Sequence, residues 1–367
     1  MTRLSHVAWT LALCGIGFVA CGARTGLLPG ELEVGSTVDA AAAADVGVGN
    51  DGSCMGAEIV LNLNAPNLYF VLDHSTSMNE MGKWANMRTV VSDLMAQIGP
   101  GARFGTAMFP PPPGSDECGP GVEVMSVRQG DTQGNTANAF LAATASMPNG
   151  GTPTAATLRA LRPKLAALGP GTFVILATDG GPNCNDSLSC QVGSCTLNID
   201  GATGCTQGGP RNCCATPPNP NGLGCLDGTA TAEAAAELDT AGVQTFVMGI
   251  PGSAPYSTVL DEVAVAGGTA RSTEPLYFRV DTPDTGALSV ALAQIAMQTG
   301  AGCTFSLKSP AMHPDGAQVS VGGAGVAPGG QDGWSLAGST LTLGGASCNG
   351  ARNAGAAAVK LIDGCAR

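Results

Sequence analysis

An α/β fold, built on a doubly wound, mostly parallel sheet and carrying a Cys-rich insertion and a small β C-terminal extension, is predicted by three features of the 367-residue chain. Apolar runs alternate with amphipathic helical segments from residue 68 to residue 298, the order that stacks helices on both faces of one sheet. The runs are continuously apolar, as in Tyr69-Phe70-Val71-Leu72 and Val174-Ile175-Leu176-Ala177, which marks strands covered on both faces. After Cys303 the texture turns Gly-rich, with two-residue alternation in Gln318-Val319-Ser320-Val321 and Thr340-Leu341-Thr342-Leu343, the period of strands with one wet face.

The elements follow in order. Behind the strand at 68–72, Met81, Trp84, Met87, Val90, Val91, Leu94, Met95 and Ile98 recur at three and four residues, giving a helix with one apolar face that Gly99-Pro100-Gly101 stops. Strands are expected at 103–109 and 121–127, helices at 135–147 and 153–168, and a buried strand at 172–178. Residues 181–228 interrupt this pattern with seven Cys among many Gly, Pro and Asn. Helix then resumes at 230–241, strand at 243–250, helix at 257–266, strand at 277–280 and helix at 285–298. The main domain is accordingly bounded at 54–302 and the extension at 303–367. Cys348 and Cys365 are expected to staple the extension, and Cys303 to meet Cys54 because the ends of a domain lie near each other.

A formal charge of -12, with no basic patch, excludes nucleic acid as a partner, since phosphate binding needs clustered cations. Arg3 ahead of an apolar run at 7–20 reads as a signal peptide at 1–20, too short to span a bilayer. Phe18-Val19-Ala20-Cys21-Gly22 resembles the lipobox of bacterial lipoproteins, with Phe18 where Leu is usual. That resemblance implies lipid on Cys21 and an exported chain anchored to a bacterial membrane surface; an ordinary signal peptide is the alternative. Residues 21–53 form a tether spanning on the order of 30 Å. Fourteen Cys are present, and removing Cys14 with the leader and Cys21 with its lipid leaves twelve, an even number suited to disulfides in an oxidising compartment. No Cys-x-x-Cys occurs, which argues against a zinc site.

Three segments at expected element edges carry the chemistry: Asp73-His74-Ser75-Thr76-Ser77, Gly150-Gly151-Thr152-Pro153-Thr154 and Ala177-Thr178-Asp179-Gly180. In open α/β sheets ligands bind at the carboxyl ends of strands, so Asp73 and Asp179, each following a strand, reach one crevice. Hydroxyl and carboxylate oxygens without His or Cys favour a divalent cation of the hard class, Mg²⁺ first, with Ca²⁺ or Mn²⁺ also compatible. Taken alone, Asp-x-Ser-x-Ser is also a helix cap. His74 reads as a loop side chain and His313, in Met312-His313-Pro314-Asp315, as part of a turn.

Together the three segments resemble the metal-ion-dependent adhesion site (MIDAS) of von Willebrand factor A (VWA) domains, over roughly residues 66–300. The resemblance implies a Rossmann-like, doubly wound sheet and a cation held by Asp73, Ser75, Ser77, Thr152 and Asp179. It further implies that the hydroxyls bind directly, that one or both aspartates act through water, and that the sixth position accepts a ligand carboxylate. The departures are the insertion after Asp179 and the Pro110-Pro111-Pro112-Pro113 loop with Cys118. With Cys184, Cys190, Cys195, Cys205, Cys213, Cys214 and Cys225 the insertion holds an odd number, and Cys118 is the expected outside partner. Such a stapled loop either shapes which ligand reaches the cation or protects a core-poor segment outside the cell.

These features imply a lipid-anchored, cation-dependent binding or adhesion module that engages a protein or other carboxylate-bearing ligand. A scaffold subunit of an envelope complex is the alternative. A metal-dependent hydrolase is disfavoured, because the sequence has no Gly-x-Ser-x-Gly, His-Glu-x-x-His or Walker loop and no evident general base beyond His74.

Overall fold

The computed structural model describes residues 56–111, 116–185, 197–201, 204–209 and 224–364. The expected leader, tether and Cys21 lie outside the described residues, as do Cys54, Cys190, Cys195, Cys213, Cys214 and Cys365. In chain order the elements are β1 (Glu58–Ile59), β2 (Leu61–Leu63), β3 (Asn67–Asp73), α1 (Lys83–Ile98), β4 (Arg103–Phe109), β5 (Val122–Gln129), α2 (Asn135–Ala143), α3 (Thr154–Ala167) and β6 (Thr172–Thr178). They continue as α4 (Leu197–Asp200), α5 (Gly228–Thr240), β7 (Val243–Gly249), α6 (Ser257–Ala266), β8 (Phe278–Arg279) and α7 (Thr285–Gln298). The C-terminal unit adds β9 (Thr304–Leu307), β10 (Gln318–Val321), β11 (Ala324–Val326), β12 (Trp334–Ala337), β13 (Thr340–Leu343), α8 (Gly345–Ala354) and β14 (Val359–Ile362).

The central sheet has the order β5-β4-β3-β6-β7-β8, with β5 antiparallel to β4 and every other neighbour parallel. Every residue of β3 is buried, as a central strand between two helical layers requires. Its period-two alternation divides the core. Leu68, Phe70 and Leu72 pack with α1, α2 and α7, whereas Tyr69 and Val71 pack with α3, α5 and α6. Each fully buried Leu or Phe contributes roughly 1.5–3 kcal/mol. The chain winds outward from β3 through β4 and β5, then returns to the other side of β3 as β6, so the carboxyl ends of β3 and β6 flank the topological switch point.

Helix α2 is shorter than its apolar pattern predicts. It stops at Ala143, where the Thr144 hydroxyl and amide both donate to the Phe140 carbonyl, at 2.8 and 3.0 Å. Pro148 further on keeps the segment out of the helix.

The C-terminal unit consists of two four-stranded antiparallel sheets, β1-β14-β10-β11 and β12-β13-β9-β2. Both contribute to one core that includes Phe305, Trp334, Leu341 and Leu361. Strands β1 and β2 therefore complete this unit, which corrects the boundary at residue 54: Glu58–Leu63 pair with β14 and β9 instead of joining the central sheet. The disulfide pairing is also corrected. Cys303 bonds to Cys348, with Cα atoms 5.1 Å apart, so neither Cys303–Cys54 nor Cys348–Cys365 forms. The reason is local: the Leu343 amide donates to the Cys303 carbonyl at 2.9 Å, and α8 starts two residues later, bringing Cys348 alongside. Among the described residues no helix is long and apolar enough to cross a membrane.

Candidate metal centre

Strand β3 ends at Asp73, which is fully buried. Its Oδ1 accepts the Ser75 amide at 2.8 Å, and its Oδ2 accepts the hydroxyl of Thr178, the last residue of β6, at 2.6 Å. That second bond closes the switch point. The Ser75 and Ser77 hydroxyls lie 3.2 Å apart, and Ser77 donates to Asp179 Oδ1 at 2.8 Å. Four of the five expected ligands thus belong to one hydrogen-bonded cluster.

Thr152 is brought to this cluster by backbone. The Asn149 amide donates to the His74 carbonyl at 2.8 Å, and the Thr76 amide donates to the Gly150 carbonyl at 3.2 Å. Gly150 has φ +79°, and a Cβ there would lie 2.9 Å from Pro110, so this turn requires glycine. On its other side the Thr152 amide donates to Asn183 Oδ1 at 2.6 Å, while its carbonyl accepts the Asn183 amide at 3.0 Å. The loops after β3, before α3 and after β6 therefore form one network. The Thr152 hydroxyl makes no hydrogen bond among the described residues, although the residue is only 5 % exposed.

Burial, followed by the charge of Asp179, pushes the Asp73 carboxyl up to about 7. Hydrogen bonds from Thr178 and Ser75 oppose that rise. Two carboxylates sharing a dry site are stabilised by a cation. The available oxygens, two carboxylates and three hydroxyls, suit a hard divalent ion. Among the described residues no three His, Cys, Asp or Glu side chains gather as a metal-binding group, in line with a site whose other donors are hydroxyls. His74 is held elsewhere: Nε2 is 3.1 Å from the Ser146 carbonyl, and its ring meets Trp84 edge-on at 4.8 Å. Burial keeps its imidazole below the usual range.

Three residues of the site escape the motif reading. Thr178 and Asn183 position Asp73 and Thr152. The third, Lys83, is 2 % exposed; its Nζ donates to Asp179 Oδ2 at 2.7 Å and to the Ser77 carbonyl at 3.2 Å. Gly252 makes room for this pair. Its φ is +116°, and a Cβ would lie 2.6 Å from the Asp179 carbonyl oxygen and 3.5 Å from Lys83 Nζ. The insertion is tied to the same face, for Cys184 bonds to Cys118 as expected, directly after Asn183. Cys205 and Cys225 are also disulfide-bonded.

No family model and no curated protein matches the chain. Solved structures do. The pilus adhesin SpaC from Lactobacillus rhamnosus GG has a TM-score of 0.50 at 17% identity, covering 83% of this chain and 40% of that one. The vWF domain of the type V pili tip protein Mfa5 from Porphyromonas gingivalis gives 0.43 at 15% identity, covering 66% and 95%. Proximal thread matrix protein 1 from the mussel byssus, with a zinc-occupied MIDAS motif, gives 0.39 at 16% identity, covering 66% and 49%. Sheet order, helical layers and the likeness to SpaC give this chain a von Willebrand factor A fold. The chain spans 40% of the length of SpaC.

Proposed function

We propose that this protein is a divalent-cation-dependent binding or adhesion module, not an enzyme, that engages a protein or other carboxylate-bearing ligand. The observation that carries the reading is the convergence of Asp73, Ser75, Ser77, Thr152 and Asp179 at the carboxyl ends of β3 and β6. These residues would hold the ion, Mg²⁺ by preference, with Ca²⁺ or Mn²⁺ compatible. When bound, the ion supplies a Lewis-acidic position for an incoming carboxylate. The similarity to a pilus adhesin supports an adhesive role. The Cys118–Cys184 and Cys303–Cys348 disulfides support an oxidising compartment outside the cytoplasm. Lipid on Cys21 would hold the module at a bacterial membrane.

Calorimetric titration of the full chain with Mg²⁺ tests the site. Saturable binding is expected, lost in Thr152→Ala and Asp179→Ala; no heat from the wild type would sink the reading. Capture of extracellular matrix proteins with and without EDTA tests adhesion, and undiminished capture in chelator contradicts it. Incorporation of labelled palmitate, abolished by Cys21→Ser, is expected if the anchor is present.

A further inference from the structure

Among the described residues, Lys83 is the one cation placed in this cluster. It opens α1, where Trp84 and Met87 are buried beside it, and its ammonium is almost wholly withdrawn from water. Withdrawing a lone ammonium is costly, so its partners must be specific. They are Asp179 Oδ2 and the Ser77 carbonyl; the exposed Glu80 lies farther off at 3.6 Å. The ammonium takes one oxygen of Asp179 and leaves Oδ1 to the Ser77 hydroxyl. It makes no hydrogen bond to Asp73, Ser75 or Thr152 among the described residues. Lys83 therefore adds charge to the site without using up its hydroxyl donors.

We propose that Lys83 is a built-in counter-cation of the site, sharing Asp179 with the divalent ion, weakening that ion's hold and biasing the filled site toward an anionic ligand. The inference rests on the cation-binding reading given above. The charge count explains the bias. Two carboxylates and one divalent ion are neutral together, whereas adding the ammonium leaves one positive charge in excess. One ligand carboxylate then restores neutrality. Without Lys83, the same carboxylate would leave the site negative. In chelator the ammonium has a second effect, because it satisfies Asp179 and keeps the loop after β3 folded around it. Even with screening close to that of water, a unit charge about 5 Å from a bound dication changes its affinity by about tenfold, and a drier site raises that factor.

The test uses the full chain and Mn²⁺ alone, with free ion read by electron paramagnetic resonance. Lys83→Met is expected to bind Mn²⁺ about tenfold more tightly than wild type, and Lys83→Arg, which keeps the charge, to stay near wild type. Equal or weaker binding by Lys83→Met overturns the inference while leaving the cation site standing. No binding by any of these proteins overturns the cation-binding reading and this inference with it. In chelator, Lys83→Met is expected to melt below wild type and to recover on adding Mn²⁺; melting together with wild type counts against the counter-cation. Should Lys83→Met fail to fold, Lys83→Gln, which keeps a donor without the charge, carries the same expectations. On Mn²⁺-loaded protein, acetate followed by water relaxation is expected to bind wild type more tightly than the neutral variant, and an equal or reversed order overturns the ligand bias.

Discussion

Asp73 is held between opposing influences: burial and Asp179 raise its carboxyl to about 7, while Thr178 and Ser75 stabilise its charged form. Because the folded value exceeds the ordinary 3.8, the folded chain retains a proton that the unfolded chain releases. The contribution of Asp73 to stability is therefore full below about pH 4 and is lost as pH rises towards about 7. In chelator, Asp73→Asn should remove part of any fall in melting temperature between about pH 5 and about pH 7.5. Wild type and variant changing in parallel over that range would contradict the assignment. Lys83 carries a signal that is legible in the sequence at this scale. It lies four and seven residues before Met87 and Val90, in the apolar stripe of α1, and a charge in such a stripe needs a buried partner. The sequence contains that signal but does not name Asp179 as the partner.

Among the elements, the loop after β6 does most to shape the site. Asn183 grips Thr152 through both its amide oxygen and its backbone N–H, and the next residue is covalently joined to Cys118. Asn183→Ala would leave the buried Thr152 amide unpaired, at a cost of about 1–3 kcal/mol. Lower Mn²⁺ affinity with an unchanged circular dichroism spectrum is expected; wild-type affinity would show that Asn183 does not position Thr152. Replacing Cys118 and Cys184 together by Ser should lower unfolding free energy by about 2–4 kcal/mol, read from urea denaturation. Strands β4 and β6 and helices α6 and α7 were legible to the residue, because each is a continuous apolar or amphipathic run between clear stops. The two- and three-residue strands β1 and β2 were not. Their partners lie some three hundred and some two hundred and forty residues away, at Leu361 and Phe305, and so short a stretch carries no period of its own. Disulfide pairing was legible only where two loops shared a sheet edge, since Cys spacing alone does not determine connectivity.

For the molecule as a whole, the C-terminal unit is fastened to the VWA fold by a half-buried arginine at one helix end. Arg352 of α8 donates through Nε to the Ala301 carbonyl at 2.7 Å and through Nη2 to the Ala296 carbonyl at 3.2 Å. These carbonyls lie at and just beyond the C-terminal turn of α7, where the helix has no amides left to pair with them. A cation there also complements the negative end of the helix dipole. Gly302 permits the contact: its φ is +73°, and a Cβ would lie 3.0 Å from the Arg352 side chain. Arg352→Ala would strip both acceptors of a charged donor, and a loss of about 2–4 kcal/mol is expected. Lys in its place should recover only part of that loss, because an ammonium lacks the planar fork that reaches two carbonyls at once. Urea unfolding of the full chain, followed by tryptophan fluorescence, separates two outcomes. With Trp9 and one of the other two tryptophans replaced by Phe in turn, Trp334 reports the C-terminal unit and Trp84 the central domain, so a lowered midpoint shared by both signals means that Arg352 couples their unfolding. A midpoint that does not move would show that the two units are held together by contacts other than this one.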